Sequence, residues 1–262
     1  MQFSSDQIQR IGKEISSKVD GKTLFDEFSR GRYSTDASVY QIKPLGVVLP
    51  KDTNDVLNLM EYSQKNSIPL LARGGGSSQC GQTVGESVVL DYSKHQNKIL
   101  ELNVEEKYVW VQPGVVLDHL NSFLRPYGLW FPVDVSTSSR ATIGGMSANN
   151  SCGSRSLYYG NMVHNVLAIE AILDDGSLHT FDQINKNYLT TTNNQDRFYK
   201  IIDKFLHLRQ KVSKDIDENW PTTQRRVGGY NIDLIDPNGF NSSNLLVGSE
   251  GTLSLFNKIK LK

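Results

Sequence analysis

The sequence predicts an α+β protein in two lobes that hold an anionic ligand between them, with the lobe boundary near Gly128. Three observations carry this. A short apolar strand over Ile68–Ala72 runs directly into a glycine loop, Arg73-Gly74-Gly75-Gly76-Ser77-Ser78, within a polar stretch that extends to Gly85. A second small, polar, glycine-bearing stretch runs from Phe131 to Gly153. Between and after the two, strand-like and helix-like periods alternate, and the chain closes on a strand.

Taken in order, the elements divide into an N-terminal helical segment (1–32), a first lobe (33–128) and a second lobe (129–262). Ile8, Ile11 and Ile15 are spaced three and four apart, the pattern of an amphipathic helix. Tyr33 to Asp36 shows no period, and the sequence gives it no chemistry. Leu45–Leu49 is an apolar run ending at Pro50, then Asp52 or Thr53 caps a helix to about Asn66 with Val56, Leu59, Met60 and Ser63 on one face. With Ile68–Ala72 this gives β-α-β, and the glycine loop leaves the second strand. Val88–Asp91, Ile99–Val104 and Tyr108–Gln112 read as further strands. Val116, Leu120, Phe123, Leu124 and Tyr127 define a helix stopped by Gly128. In the second lobe, Val163–Leu173 and Ser177–Phe181 flank Asp174-Asp175-Gly176, a hairpin turn. Phe198, Ile201, Ile202, Phe205 and Leu208 place a helix over Asp196–Val212. Thr190–Gln195 and Ser213–Arg226 read as polar loops, and strands at Leu245–Val247 and Leu253–Ile259 bracket Gly248-Ser249-Glu250-Gly251.

Consecutive glycines let successive amides converge on an anion with no Cβ in the way. The P-loop needs Gly-Lys-Ser/Thr at its end, whereas Gly81 is followed by Gln82 and Thr83. The dinucleotide fingerprint needs a helix opening inside it, and no apolar helical period precedes Val88. In the second stretch, Ser and Thr residues before Gly144-Gly145 are suited to cap a short helix whose first amides face an anion or a carbonyl. Two such loops suggest one ligand gripped from both sides.

Composition limits the partners. With 28 basic and 28 acidic residues the formal charge is +0, which argues against a nucleic-acid surface or a polybasic membrane anchor. No apolar run approaches the roughly 20 residues that span a bilayer, and Met1–Asp20 lacks the apolar stretch of a signal peptide. The expectation is a cytoplasmic protein. Cys80 and Cys152 are too few for a zinc or iron–sulfur site and read as small, reduced residues in tight backbone; no metal is expected.

Six segments, in order, carry a resemblance: Tyr33-Ser34-Thr35-Asp36-Ala37-Ser38 with Pro44–Pro50, Arg73–Ser78, Ala141-Thr142-Ile143-Gly144-Gly145, Tyr159-Gly160, Gly229-Tyr230-Asn231 and Gly248-Ser249-Glu250-Gly251-Thr252-Leu253. The chain resembles the flavoproteins of the vanillyl-alcohol oxidase and p-cresol methylhydroxylase type. It is most similar to their D-2-hydroxyacid dehydrogenase branch, which acts on D-lactate, D-2-hydroxyglutarate or glycolate. The likeness covers nearly everything from Tyr33 onward. It implies a two-lobed FAD-binding domain with FAD between the lobes.

Carried over residue by residue, the resemblance implies that Arg73, Gly74, Gly75, Gly76, Ser77, Ser78 and Gln82 hold the pyrophosphate. It places Thr142, Gly144 and Gly145 on the other side, and Pro132, Asp134, Ser136, Ala141, Ala148, Asn149 and Gly153 along the cofactor. Gly248, Glu250 and Gly251 would reach its adenosine or ribitol half, with Val166 or Ile169 lining the adenine pocket. Relatives that tether the flavin carry histidine where Gly76 stands here, and no cysteine precedes Ala141, so the FAD is expected to be non-covalent. Arg225, Arg226 and Tyr230 are the candidates for an anionic substrate; among the histidines His164 lies nearest a motif, though a surface role is the default for all five.

In these relatives a cap domain follows the Gly-Ser-Glu-Gly segment and supplies much of the substrate pocket. Here the sequence ends at Lys262, so the chain is expected to be either a fragment of a longer protein or a flavin-binding module whose partner subunit supplies the cap, and no catalytic base is assigned. The leading expectation is the FAD-binding part of a dehydrogenase or oxidase that passes hydride from a small 2-hydroxyacid to flavin N5 and then to an electron acceptor. An NADPH-dependent reductase of the UDP-N-acetylenolpyruvoylglucosamine reductase type, and a non-catalytic FAD-carrying subunit, are the alternatives.

Overall fold

The computed structural model describes residues 3–188, 192, 195–223 and 225–262. Its first sheet has the order β1-β2-β4-β3, built from β1 (Lys22–Leu24), β2 (Gly46–Leu49), β3 (Leu70–Arg73) and β4 (Val88–Asp91). β4 runs parallel to both β2 and β3, and β1 pairs antiparallel to β2 at the edge. The β-α-β order is what makes the parallel pairs possible, since a parallel return needs a crossover. That crossover is α3 (Thr53–Asn66), capped at its start by the Asp52 carboxylate, which accepts from the amides of Asn54 and Asp55. It ends at Ser67 in the left-handed region, φ 53°, with the Ile68 amide donating back to the Ser63 carbonyl at 2.9 Å. α1 (Ser5–Ser16) buries Ile8, Ile11 and Ile15 against Val56, Leu59 and Met60, giving the first lobe its core. The short helix α2 (Glu27–Arg32) and β1 carry too little periodicity to be read from sequence.

The second sheet has the order β5-β6-β11-β7-β8, all antiparallel, from β5 (Ile99–Asn103), β6 (Tyr108–Val111), β7 (Val166–Ile172), β8 (Leu178–Phe181) and β11 (Leu255–Leu261). This shifts the lobe boundary. The β5–β6 hairpin was expected in the first lobe, but Val111 pairs with Ile259 and Val109 with Leu261, so it belongs to the second sheet and the division falls between Asp91 and Ile99. The pattern of residues 99–111 identifies strands; it does not reveal a partner that arrives at the far end of the chain. α4 (Leu117–Leu124), prolonged by a 3-10 turn and closed by Gly128 at φ 70°, packs Leu117, Leu120 and Leu124 into the second core.

Downstream come α5 (Ile143–Asn149), α6 (Ser156–Tyr159), α7 (Met162–Asn165), α8 (Arg197–Lys211) and α9 (Ser213–Asn219), with β9 (Gln183–Asn185) and β10 (Gly239–Asn241) forming a small ribbon. Two expectations fail here. Part of the expected polar loop Ser213–Arg226 is helical, α9, which docks through the single buried residue Ile216 and so offers no apolar stripe to read. The expected strand Leu245–Val247 is instead a 3-10 turn over Ser242–Leu245 and its exit: the Ser242 amide and hydroxyl donate to the Asp182 carbonyl, and Leu246 and Val247 donate back to Ser243. Of the expected loop 190–195, residues 190, 191, 193 and 194 lie outside the described ones. No described helix is long and apolar enough to cross a membrane.

Candidate functional site

A cavity of about 450 Å³ opens between the two lobes, within the range of small-molecule and cofactor sites. Its floor and walls come from the ends of β3, β4 and β11, the glycine loop and α5. Of the residues expected to touch a ligand, the structure brings together Arg73, Gly74, Gly75, Gly76, Ser77, Ser78 and Gln82 from the first lobe. From the second it adds Ser136, Ala141, Thr142, Gly144, Gly145, Ala148, Asn149, Glu250 and Gly251.

The glycine loop has unspent donors. None of the amides of Gly74, Gly75, Gly76, Ser77 or Ser78 donates to another described residue, although their neighbours do: Cys80 to the Ser78 hydroxyl and Val84 to the Gly81 carbonyl. Half-buried amides, as at Gly74, Gly76, Ser77 and Ser78, normally find a partner, so this run along a cavity wall, with the exposed Gly75 within it, is a candidate donor site for an anion. Its shape depends on glycine. A Cβ at Gly74 would sit 2.0 Å from the Thr142 hydroxyl, one at Gly75 would sit 2.2 Å from the Arg140 carbonyl oxygen, and Gly76 adopts φ +63°.

The second stretch behaves differently from expectation. The Ile143 and Gly144 amides donate to the Val115 and Pro113 carbonyls, both at 2.8 Å, and Gly145 donates to the Thr142 hydroxyl that caps α5. The first amides of α5 are therefore spent on the turn before α4. This side supplies a fitted wall, with Gly144 against Pro113, in place of hydrogen-bond donors for an anion.

A strap that the sequence left without chemistry holds the glycine loop. The Arg73 guanidinium donates to the carbonyls of Thr35 at 2.8 Å, Thr83 at 3.0 Å and Tyr33 at 3.4 Å, and lies 5.2 Å from the centre of the Tyr33 ring. Ala37 donates to the Gly76 carbonyl, the Tyr33 hydroxyl donates to Asp91 at 2.6 Å, and the Thr83 hydroxyl donates to Asp36 at 2.9 Å. Burial and the Asp91 carboxylate push the Tyr33 phenol up to about 12. Burial works to raise the Asp36 carboxyl, but hydrogen bonds from Ser38 and Thr83 outweigh it and hold the group below its ordinary value. Arg73 thus spends its fork on backbone carbonyls, which changes its expected role from ligand contact to loop clamp.

At the mouth, Glu250 bridges the lobes. Its carboxylate accepts from Gln82 at 3.1 Å and from Asn149 at 3.2 Å, and its backbone is left-handed at φ 50°. Cys80 and Cys152 both line the cavity, Cys80 exposed and Cys152 partly so, so neither is merely a space-filler in tight backbone.

The other expected residues lie off the lining. The Asp134 carboxylate accepts from the Ser154 hydroxyl and the Arg155 amide, with Gly153 pressed against its backbone, so these two form a turn of their own. Pro132 precedes that turn. Gly248 donates to the Ser147 carbonyl. Arg226 pairs with Asp233 and covers the Trp220 ring, and the Tyr230 hydroxyl shares a 2.8 Å hydrogen bond with Thr252, leaving neither placed as a free substrate contact. Val166 and Ile169 belong to the second core. His164 is exposed, in keeping with the surface default; partial desolvation and the Arg226 charge lower its pKa, and its Nδ1 accepts from the Asn161 amide at 3.0 Å.

The lining also holds residues that sequence reasoning missed, among them Tyr92, Pro113, Val135, Thr137, Ser254 and Phe256. Tyr92, Pro113 and Ser254 sit beside strands and Phe256 within one, as ordinary core residues do, while Val135 and Thr137 lie in the loop before α5; only the meeting of the two sheets brings them to one space. Burial pushes the Tyr92 phenol well up, so it stays protonated. No described histidine lines the cavity, and Glu250 is its one carboxylate among the described residues. No described group of three His, Cys, Asp or Glu is arranged to hold a metal.

Comparison with known proteins places this geometry. Residues 44–182 match the family model described as FAD binding domain. The chain is 36% identical over 244 residues to a D-2-hydroxyglutarate dehydrogenase of Haemophilus influenzae, covering 87% of this chain and 23% of that protein. It is 34% identical over 251 residues to the D-2-hydroxyglutarate dehydrogenase of Escherichia coli, covering 92% of this chain and 24% of that one. The chain therefore spans about a quarter of the length of these relatives. The solved structure of an alkyldihydroxyacetonephosphate synthase superposes over 100% of this chain and 44% of its own, with a TM-score of 0.67 at 18% identity, a likeness of fold.

Proposed function

Since the chain belongs to the FAD-binding domain family, we propose that it forms the FAD-binding part of a flavin-dependent dehydrogenase that oxidises a small D-2-hydroxyacid to the 2-oxoacid. The D-2-hydroxyglutarate dehydrogenases among its relatives support that substrate class. The observation that carries the reading is the row of five unspent amides, Gly74 to Ser78, on the wall of a cavity between two lobes. A pyrophosphate is the part of FAD that needs such donors, and charge-assisted bonds to backbone amides are among the stronger ones available.

In this reading Gly74, Gly75, Gly76, Ser77 and Ser78 hold the pyrophosphate, Arg73 keeps their loop in place, and Thr142, Gly144, Gly145 and Ala141 form the facing wall. Glu250 with Gln82 and Asn149 closes the mouth. When bound, FAD supplies the two-electron acceptor for the hydride leaving the substrate's α-carbon. The proton leaves from the hydroxyl oxygen on that carbon as the C=O bond forms, and needs a base. Glu250, the cavity's carboxylate, already accepts from two amide side chains. The base and the substrate carboxylate's partner are accordingly assigned to a cap domain or partner subunit, and a separate electron acceptor reoxidises the flavin. With glycine at position 76 and no cysteine beside Ala141, the FAD is held without a covalent bond.

The test is an absorption spectrum of the purified chain before and after acid denaturation. Flavin bands that move to the supernatant support non-covalent FAD, and a full-length protein reducing a dye acceptor with D-2-hydroxyglutarate, D-lactate or glycolate then identifies the substrate. A chain that takes up no flavin from added FAD refutes the reading.

A further inference from the structure

Among the buried polar side-chain atoms that lack a hydrogen-bond partner within the described residues, only the hydroxyls of Tyr92 and Ser254 belong to residues lining the interlobe cavity. Both are deeply placed: Tyr92 is 5% exposed and Ser254 is 9% exposed. Tyr92 is the residue that follows β4, in the first lobe, and Ser254 is the residue that precedes β11, in the second. Tyr92 shares a core cluster with Leu255, with Leu70 and Ala72 packed against it, and Leu70, Ala72, Pro113, Leu255 and Phe256 line the same cavity.

A buried hydroxyl with no partner costs free energy, and native proteins keep few of them. Two from opposite lobes, lining one cavity, make up the polar pair of a site for a flat ring whose edge both donates and accepts, because a hydroxyl can do either. Resting on the proposed FAD binding, we infer that Tyr92 and Ser254 anchor the adenine ring, one hydroxyl from each lobe. The direction follows from access. The reacting ring of the cofactor has to meet substrate and acceptor, so it belongs at the mouth, where Cys80 and Glu250 are exposed. The buried hydroxyl pair takes the ring that does no chemistry. The consequence is a ligand that ties the two lobes together through one buried hydroxyl from each, so the adenine end determines which nucleotides are retained.

This arrangement predicts opposite signs in the free and the loaded protein. Without ligand the Tyr92 hydroxyl is a burden, so Tyr92→Phe raises the Tm of the apo chain by about 2–4 °C. With ligand it is a contact, so the same change weakens FAD and ADP alike by about tenfold. Ser254→Ala behaves in the same way and serves if Tyr92→Phe fails to fold. The experiment is thermal denaturation of the apo chain with calorimetric titration of FAD, ADP and FMN. FMN carries the flavin and a phosphate with no adenine. Wild-type chain that binds ADP well and FMN far more weakly, with both substitutions weakening ADP and FAD but leaving FMN unchanged, supports the assignment. If FAD binds and both variants keep FAD and ADP within twofold, or if both lower the apo Tm, this inference is overturned while the FAD reading stands. If the wild-type chain binds no FAD, both fall.

Discussion

Adding one methyl group at Gly75 tests the glycine loop most directly. The Cβ of Gly75→Ala would lie 2.2 Å from the Arg140 carbonyl oxygen, a backbone atom fixed by the turn in which Arg140 and Ala141 donate to Thr137. Contacts of this kind stay beyond 3.0 Å, so the loop and the turn must part by about 0.8 Å or more. Overpacking of this sort costs about 1–3 kcal/mol in the apo chain. The loss in binding is larger. An amide at the ordinary 2.9 Å from a phosphate oxygen, moved by about 0.8 Å, passes the outer limit of a hydrogen bond. Each such charged bond contributes about 1.5–3 kcal/mol, so losing one or two weakens FAD by about 2–4 kcal/mol, roughly 30- to 1,000-fold.

Gly128→Ala separates strain from site. Gly128 has positive φ, +70°, unlike Gly75, but nothing lies within 4 Å of a Cβ placed there. It should cost about 1 kcal/mol of stability through the left-handed backbone and leave FAD affinity unchanged. Calorimetric titration of FAD into both apo variants, with thermal melts alongside, gives the two quantities. Gly75→Ala binding FAD within threefold of wild type would show that the loop amides do not hold the pyrophosphate.

Arg73→Lys should fail to replace arginine, because a single ammonium cannot serve the Tyr33, Thr35 and Thr83 carbonyls together; thermal melts should show about 1–3 kcal/mol lost, and a silent substitution would remove the clamp. Glu250→Gly and Glu250→Ala both release Gln82 and Asn149, but only glycine relieves the φ 50° backbone, so the glycine variant should be more stable than the alanine variant by about 1 kcal/mol in denaturant titration. Cys80 and Cys152 line the cavity, so saturating FAD should slow their reaction with a thiol reagent; equal rates with and without FAD would place the ligand elsewhere. The Asp36 carboxyl titrates below its unfolded value of 3.8 in the folded chain, so its contribution is complete above that pH and is lost as pH falls through the depressed value. The stability gap between wild type and Asp36→Asn should therefore close on acidification, and a gap that persists in acid would contradict the Thr83 and Ser38 contacts.

What the sequence revealed was local. The α3 cap at Asp52, the Gly128 stop and the Asp174-Asp175-Gly176 hairpin each rest on a few neighbouring residues whose backbone demands are legible in a string. The glycine loop was readable for the same reason, since three glycines state a conformational need. The strap from Tyr33 to Ala37 was not, because its role is to offer main-chain carbonyls to Arg73, and carbonyls leave no trace in residue identity. The β5–β6 hairpin was recognised as strands and assigned to the wrong lobe, since its partner β11 lies at the other end of the chain. Tyr92 and Ser254 resemble any residue beside a strand until the sheets are brought together.

The two loops are alike in composition and opposite in what they can give a ligand, and the difference lies in where their amides go. In the first sheet β3 is an edge strand parallel to β4, and the glycine loop leaves its carboxyl end, where an open parallel sheet provides a crevice and no further strand to consume the loop's donors. In the second lobe, Thr142 pairs with Val116, and the amides of Ile143 and Gly144 are taken by the turn that precedes α4. A string rich in glycine, serine and threonine marks backbone that can approach a ligand closely. Whether it can also bind an anion depends on the competing carbonyls that the fold brings near. Here that competition leaves the donors on the first lobe and the shape on the second, so a pyrophosphate seated on the glycine loop would be held by charge from one side and by steric fit from the other.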